Sequence, residues 1–104
     1  MDSDAYLIRL SGELDYAVAQ ELTEVLAAST GRSGVTAIHL DMAAVTFLDA
    51  TIITVLVHAH QAAARTGRQL RVHGPQGRAR RVLDLTGVLL FLSPDTATPD
   101  TGPR

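Results

Sequence analysis

The chain has no cysteine, which excludes thiol catalysis, cysteine-ligated zinc and disulfide bonds. It also has no lysine, so all nine basic residues are arginines. The longest apolar run falls short of the ~18–20 residues that are needed to span a bilayer. The N-terminal sequence MDSDAYL is acidic, whereas a secretory signal begins with basic residues. We therefore expect a cytoplasmic protein that does not insert into a membrane.

Acidic residues are missing from the middle of the chain. None lies between Asp49 and Asp84, an interval that contains six arginines, namely Arg65, Arg68, Arg71, Arg78, Arg80 and Arg81. Because the net charge is −2 and no aromatic residue lies among these arginines, nucleic-acid binding is not expected. A solvated face is the plain interpretation of this arginine group, and a docking surface for an acidic partner is the alternative.

A composition of 46% hydrophobic and 19% charged residues over 104 positions predicts one globular domain. Short β-rich runs alternate with segments of helical spacing. Strands are predicted at Ala5–Leu10, Val35–Leu40 and Gln69–His73, with a short one at Glu13–Leu14. Val88–Leu92 is predicted as either a final short strand or an apolar cap. Helices are predicted at Tyr16–Ala28, Thr51–Thr66 and Arg78–Thr86.

This alternation predicts an α/β fold. We expect a small, mostly parallel or mixed sheet of four to five strands, with three to four helices mainly on one side. The pattern leaves open whether the first strand pairs antiparallel at an edge. The domain is expected to cover residues 1–92, and residues 93–104, with three prolines, are expected to form a disordered tail.

Ser11–Gly12 is predicted as a turn or bulge, and Asp41–Thr46 as the connection between the strand before it and the stretch at residues 46–57. Apolar spacing predicts which residues of the helices face inward. The inward residues are Val18, Leu22, Val25 and Leu26 in the first helix, Ile52, Leu56, Ala59 and Ala63 in the second, and Val82 and Leu85 in the third.

Two polar residues interrupt the otherwise apolar stretch TFLDATIITVLV at residues 46–57. Asp49 and Thr51 lie where a loop that leaves a strand enters a helix, as Asp15 does before the first helix. Such a carboxylate can accept hydrogen bonds from the first free amides, and a phosphate is well held at the same positive end. Thr51 is thus placed as a phosphate acceptor, although the local pattern alone favours ordinary capping without signalling.

Four stretches together resemble the STAS domain of bacterial anti-sigma-factor antagonists. They are Leu10–Asp15, Ile38–Asp41 followed by Val45–Asp49, the helix that contains Thr51, and Arg80–Gly87. The resemblance covers the chain up to about residue 92.

In that family the loop into the second helix reads Asp-Ser-Ser-Gly, and the resemblance aligns it with Asp49, Ala50, Thr51 and Ile52. It implies that Thr51 is phosphorylated by a partner that is both a serine/threonine kinase and an anti-sigma factor, with Asp49 and Asp15 beside the site. Unmodified antagonist binds the anti-sigma factor, and phosphorylation ends that binding. Threonine in place of serine, and Ile52 in place of glycine, are expected to hinder the kinase.

The resemblance also implies a set of partner-binding residues. They are Asp15, Asp49, Ala50, Thr51, Ile52 and Ile53. The exposed parts of Ile52, Ile53 and their neighbours are also expected to add an apolar patch to the docking surface for an acidic partner.

The sequence also bears on three other functions, namely a transport subunit, an enzyme and a metal-binding protein. A STAS subunit of a membrane lipid- or anion-transport ATPase is the main alternative, because the missing glycine matters less where no kinase approaches. An enzyme is not predicted, since no Gly-x-Ser-x-Gly or other catalytic constellation occurs, and no cofactor or metal is expected. His58 and His60 point to different faces of a helix, and His39 and His73 lie on strands that could be neighbours. The sequence does not indicate an oligomeric state.

Overall fold

The structure is a computed structural model that describes residues 5–87, so the predicted strand or apolar cap at 88–92 and the predicted tail at 93–104 lie outside the described residues. The elements are β1 (Ala5–Leu14), α1 (Tyr16–Thr30), β2 (Ala37–Leu48), α2 (Ala50–Arg65), β3 (Gln69–His73) and α3 (Gly77–Leu85). The α/β fold is confirmed. The predicted count of four to five strands is not confirmed, because residues 5–87 contain three strands.

The three strands form one sheet in the order β1-β2-β3, and both neighbouring pairs are parallel. The first strand, whose direction of pairing the sequence pattern left open, therefore pairs parallel to β2. Parallel neighbours need a crossover helix between them, and α1 and α2 supply these crossovers. Because crossovers are right-handed and the strands follow in chain order, α1 and α2 lie on the same face of the sheet.

The first strand continues through the predicted turn at Ser11–Gly12 up to Leu14, so Glu13–Leu14 is not a separate strand. The pairing with β2 shifts register after Arg9 and again after Gly12, which marks an irregular, bulged stretch. Gly12 has a φ of +79°, a conformation that side chains disfavour. The pairing resumes after each shift, so the strand continues to the start of α1.

The second strand extends to Leu48, so the prediction that Asp41–Thr46 is a connecting loop is wrong. Local propensity is weak in this segment, but its pairing with the second half of β1 and the burial of Met42, Val45 and Leu48 hold it extended. Tertiary contacts thus override the local pattern. The consequence is that β2 runs directly into Asp49.

The core lies between the sheet and the helices, and the helical spacing predicted most of it. Leu22, Leu26, Ile52, Leu56 and Ala63 are buried in one cluster with side chains of all three strands. Two predicted inward residues are instead exposed, Val25 at 40% and Leu85 at 80%, and in α3 the buried residues are Ala79 and Leu83. The buried stripe of α1 is therefore narrower than the sequence spacing suggests, and that of α3 lies on a different face from the predicted one. None of the helices within residues 5–87 combines the length and the apolar character needed to cross a bilayer.

Candidate functional site

Asp49 caps the N-terminus of α2, as the sequence predicts. Its backbone is extended, with φ −112° and ψ −178°, and its Oδ1 accepts a hydrogen bond from the Ile52 amide at 3.2 Å. This satisfies one of the amides that the first turn of a helix leaves without a partner. The carboxylate that interrupts the apolar stretch is therefore paired and lies at a helix boundary.

The same carboxylate also binds the first helix. Its Oδ2 accepts a hydrogen bond from the Tyr16 amide at 3.2 Å, and the Asp49 amide donates to the Leu14 carbonyl at 3.2 Å. Asp15, in turn, caps α1 by accepting from the Ala17 amide at 3.0 Å, which confirms it as an N-cap. Asp49 thus joins the N-termini of α1 and α2, and it brings Asp15 into the same site.

Thr51 lies in the first turn of α2, and its side chain is exposed. Within residues 5–87 its hydroxyl has no hydrogen-bond partner. Thr54, one turn further on, is also exposed, but its hydroxyl donates to the Ala50 carbonyl at 3.2 Å. Of these two threonines, only Thr51 presents a free hydroxyl at the positive end of the helix dipole.

Tyr16 belongs to this site although it is not among the residues predicted for it. It is the first residue of α1, and its amide donates to Asp49. Its relative solvent exposure is 75%. Its position directly after the capping Asp15 is the signal that could have found it. We call Asp15, Tyr16, Asp49, Ala50 and Thr51 the N-terminal surface.

Ile52 and Ile53 do not contribute an exposed apolar patch, so that expectation is wrong. Ile52 is 0% exposed and packs in the core, and Ile53 is also buried. Both follow from helical geometry, because the inward stripe of α2 begins at Ile52. The side chain of Ile52 points away from solvent, and it therefore does not cover the Thr51 hydroxyl.

The double role of Asp49 predicts a stability difference between two charge-matched variants. An asparagine at an N-cap still accepts one amide, so Asp15→Asn should change the free energy of unfolding by only a few tenths of a kcal/mol. Asp49→Asn keeps the Ile52 bond but places an NH₂ group before the Tyr16 amide, and we expect a loss of ~1–2 kcal/mol. Urea unfolding of both variants measures this, and equal losses would contradict the bridging role.

The arginines between Asp49 and Asp84 are not gathered at the N-terminal surface. Three of them have partners of their own. Arg68 Nε donates to the Val35 carbonyl at 2.6 Å, Arg71 donates to Gln69, and Arg80 lies 3.5 Å from Asp84 on α3. This local pairing agrees with a solvated face, and docking of an acidic partner on the arginines stays a prediction.

The strand histidines are neighbours, as their predicted strands allowed. His39 Nδ1 and His73 Nε2 are 2.7 Å apart, so one nitrogen donates to the other, and the ring centroids lie 4.8 Å apart. No group of three or more potential metal ligands occurs among residues 5–87. Burial, the adjacent His73 and the Arg71 guanidinium lower the pKa of His39 below its usual 6.5.

This lowered pKa gives the stability a pH dependence with a definite sign. Because the unfolded chain protonates His39 at a higher pH than the folded chain, the stability contributed by neutral His39 is present above about pH 6.5 and is lost as the pH falls through the folded pKa. Urea unfolding of wild type and His39→Gln, compared between about pH 8 and about pH 5, should show a steeper loss for wild type. Equal slopes for wild type and His39→Gln would contradict this pH dependence.

Comparisons with known proteins agree with this architecture. The family model of the STAS domain matches residues 2–99. An anti-sigma-B factor antagonist of Staphylococcus epidermidis is 31% identical over 85 residues, which is 82% of this chain and 78% of that protein.

Two solved structures share the fold. The anti-sigma factor antagonist SpoIIAA in its unphosphorylated form superimposes with a TM-score of 0.75 at 18% identity, over 84% of this chain and 76% of that one. A sulfate transporter family protein from Wolinella succinogenes superimposes with a TM-score of 0.69 at 21% identity, over 90% of this chain and 81% of that one.

Proposed function

Since the chain belongs to the STAS domain family, we propose that it is an anti-sigma-factor antagonist. It binds a kinase-type anti-sigma factor through the N-terminal surface, and phosphorylation of Thr51 ends the binding. The observation that carries this proposal is the exposed Thr51 hydroxyl at the start of α2, which has no hydrogen-bond partner in the described part of the chain and lies beside the carboxylate that joins α1 and α2. The Staphylococcus epidermidis relative, which bears the name of anti-sigma-B factor antagonist, supports the choice of partner.

The N-terminal surface has the composition of a regulated interface. Tyr16 offers a large exposed ring of the kind that anchors protein–protein contacts. Asp15 and Asp49 hold the two helix starts in place, so the surface needs little ordering when a partner binds. The small side chain of Ala50 leaves the approach to Thr51 open.

Phosphorylation acts on this surface through charge. The Thr51 oxygen forms a bond to the γ-phosphorus of ATP held by the kinase, the bond to the ADP oxygen breaks, and the hydroxyl proton passes to the kinase or to solvent. Phosphothreonine adds roughly −1.5 to −2 charges next to Asp49 and Asp15. Inside an interface this charge costs desolvation and like-charge repulsion, and the complex dissociates.

The test uses the wild-type chain and kinase-type anti-sigma factors encoded in the same genome. Binding is measured by calorimetry without nucleotide, and phosphate is then located by mass spectrometry after incubation with Mg-ATP. We expect binding, followed by one phosphate in wild type and Thr54→Ala and none in Thr51→Ala. Absence of binding to every such factor overturns the proposed partner, and binding without phosphate overturns only the switch.

The alternative is a subunit of a membrane lipid- or anion-transport ATPase. An isoleucine in place of glycine was expected to obstruct a kinase, which favoured a role that needs no kinase. Because the Ile52 side chain is buried, it does not stand in the way of a kinase. The likeness to the sulfate transporter family protein concerns the fold alone. Co-purification with an ATPase subunit, without binding to an anti-sigma factor, would favour this alternative.

A further inference from the structure

β1 lies at an edge of the sheet. Within residues 5–87 it pairs only with β2, so one side of its backbone ladder has no partner in this part of the chain. Such an edge is a template for another strand, and proteins often protect it with charges or bulges. In β1 the register shifts protect only the second half, because the pairing of Ala5–Arg9 with Ala37–Asp41 is regular.

Apolar side chains are exposed on both sides of this regular segment. Leu7 is 57% exposed on the face of the sheet away from the core. On the other face a groove of ≈ 320 Å³ runs between β1 and α1, lined in part by Ile8, Leu10, Val18 and Val25, and Val25 is 40% exposed. An added strand would place alternate side chains against Leu7 and into the groove.

We propose that the occupant of this edge is a second copy of the chain, whose β1 pairs antiparallel with β1 about a two-fold axis at Leu7. A two-fold axis places the same segment on both sides of the interface, and it makes the two strands antiparallel. The three described strands of each copy then join into one continuous sheet. Leu7 packs against Leu7 of the second copy, which covers its exposed side chain.

The side chains of Ala5–Arg9 are complementary to themselves in this register. Centring the pairing on Leu7 puts Tyr6 opposite Ile8, an aromatic and β-branched pair of the kind that stabilises antiparallel sheets. It also puts Arg9 opposite Ala5, so no like charges face each other, whereas an axis at Arg9 would oppose two arginines. Arg9 already has an acidic partner, since its Nε lies 3.6 Å from Asp41 on β2.

The proposed dimer leaves the N-terminal surface accessible. Leu7 is seven residues before Leu14, where β1 meets Asp49, and the two positions are about 23 Å apart along an extended strand. The dimer and the binding of an anti-sigma factor are therefore separate properties, and either can fail without the other.

The first experiment measures the oligomeric state by sedimentation velocity and light scattering. Wild type should be dimeric at about 100 µM, and Leu7→Asp should raise the dimer Kd more than about tenfold because it opposes two carboxylates. Leu85→Asp, on the 80% exposed Leu85 of α3, is the matched control and should remain dimeric. Mixing Leu7→Asp with Leu7→Arg should restore the dimer, because the two side chains then have opposite charges. A wild-type monomer, or a dimer that Leu7→Asp leaves unchanged, overturns the proposal.

The second experiment locates the axis. Because the chain has no cysteine, a Leu7→Cys variant contains one thiol, and a short thiol-reactive crosslinker can join only two copies. We expect efficient crosslinking of Leu7→Cys and little of Leu85→Cys, with circular dichroism confirming that both variants fold. Equal crosslinking of the two variants contradicts the register.

Discussion

Thr51→Glu is expected to weaken binding of the anti-sigma factor more than a hundredfold, a loss of ~3 kcal/mol. Glutamate places a lasting negative charge next to Asp49 and Asp15, and the partner must desolvate that charge when it covers the N-terminal surface. The folded state should not suffer, because an acidic residue in the first turn of a helix stabilises it by ~0.3–1 kcal/mol. Weaker binding together with an unchanged or higher melting temperature is therefore the signature of an interface effect.

Thr54→Glu is the matched control for this prediction. Thr54 is exposed on the same helix, and the substitution adds the same charge one turn away from the N-terminal surface. Its effect on binding should be small, and Thr51→Ser should bind as wild type does. Titration calorimetry with each variant measures the dissociation constants. If Thr51→Glu binds as tightly as wild type, the interface lies elsewhere on the molecule.

Ile52→Gly, which restores the residue usual in the family, is expected to lower the free energy of unfolding by ~3–5 kcal/mol. Removing a fully buried isoleucine costs ~2–5 kcal/mol through lost burial and the cavity that remains. Glycine in a helix adds ~0.5–1 kcal/mol relative to alanine. Position 52 therefore serves the core of this protein, and a glycine there would remove one of its largest buried side chains.

Thr51→Gly is the control, since it introduces glycine at the adjacent, exposed position of the same turn. We expect it to cost less than ~1 kcal/mol. Urea unfolding followed by circular dichroism gives both values, and Ile52→Ala separates the loss of burial from the effect of glycine on the backbone. A cost below ~1 kcal/mol for Ile52→Gly would show that this residue does not support the core.

The positions of the helices and strands were largely predictable because they depend on local chemistry. Apolar spacing placed α1 and α2 within two residues of their observed ends, and Gln69–His73 is β3 as predicted. The two N-caps were also recognisable, since Asp15 and Asp49 precede apolar stripes of helical period. These are contacts between residues close in the chain, and a short sequence window contains both partners.

What was missed depends on residues far apart in the chain. The extension of β2 through Asp41–Thr46 requires the second half of β1, and the burial of Ile53, which was not predicted to face inward, requires the packing of α2 on the sheet. Tyr16 entered the site because its amide bonds to Asp49, 33 residues away.

Local sequence thus accounts for the α/β pattern, for the capping carboxylates and for the position of Thr51 at the start of a helix. The three-dimensional arrangement accounts for the joining of two helix starts by one carboxylate, for the all-parallel pairing of the described strands and for the edge of β1 that has no partner among residues 5–87. The physical reason is that capping and helical periodicity act over one or two turns, whereas strand register and burial depend on which distant segments the chain brings into contact.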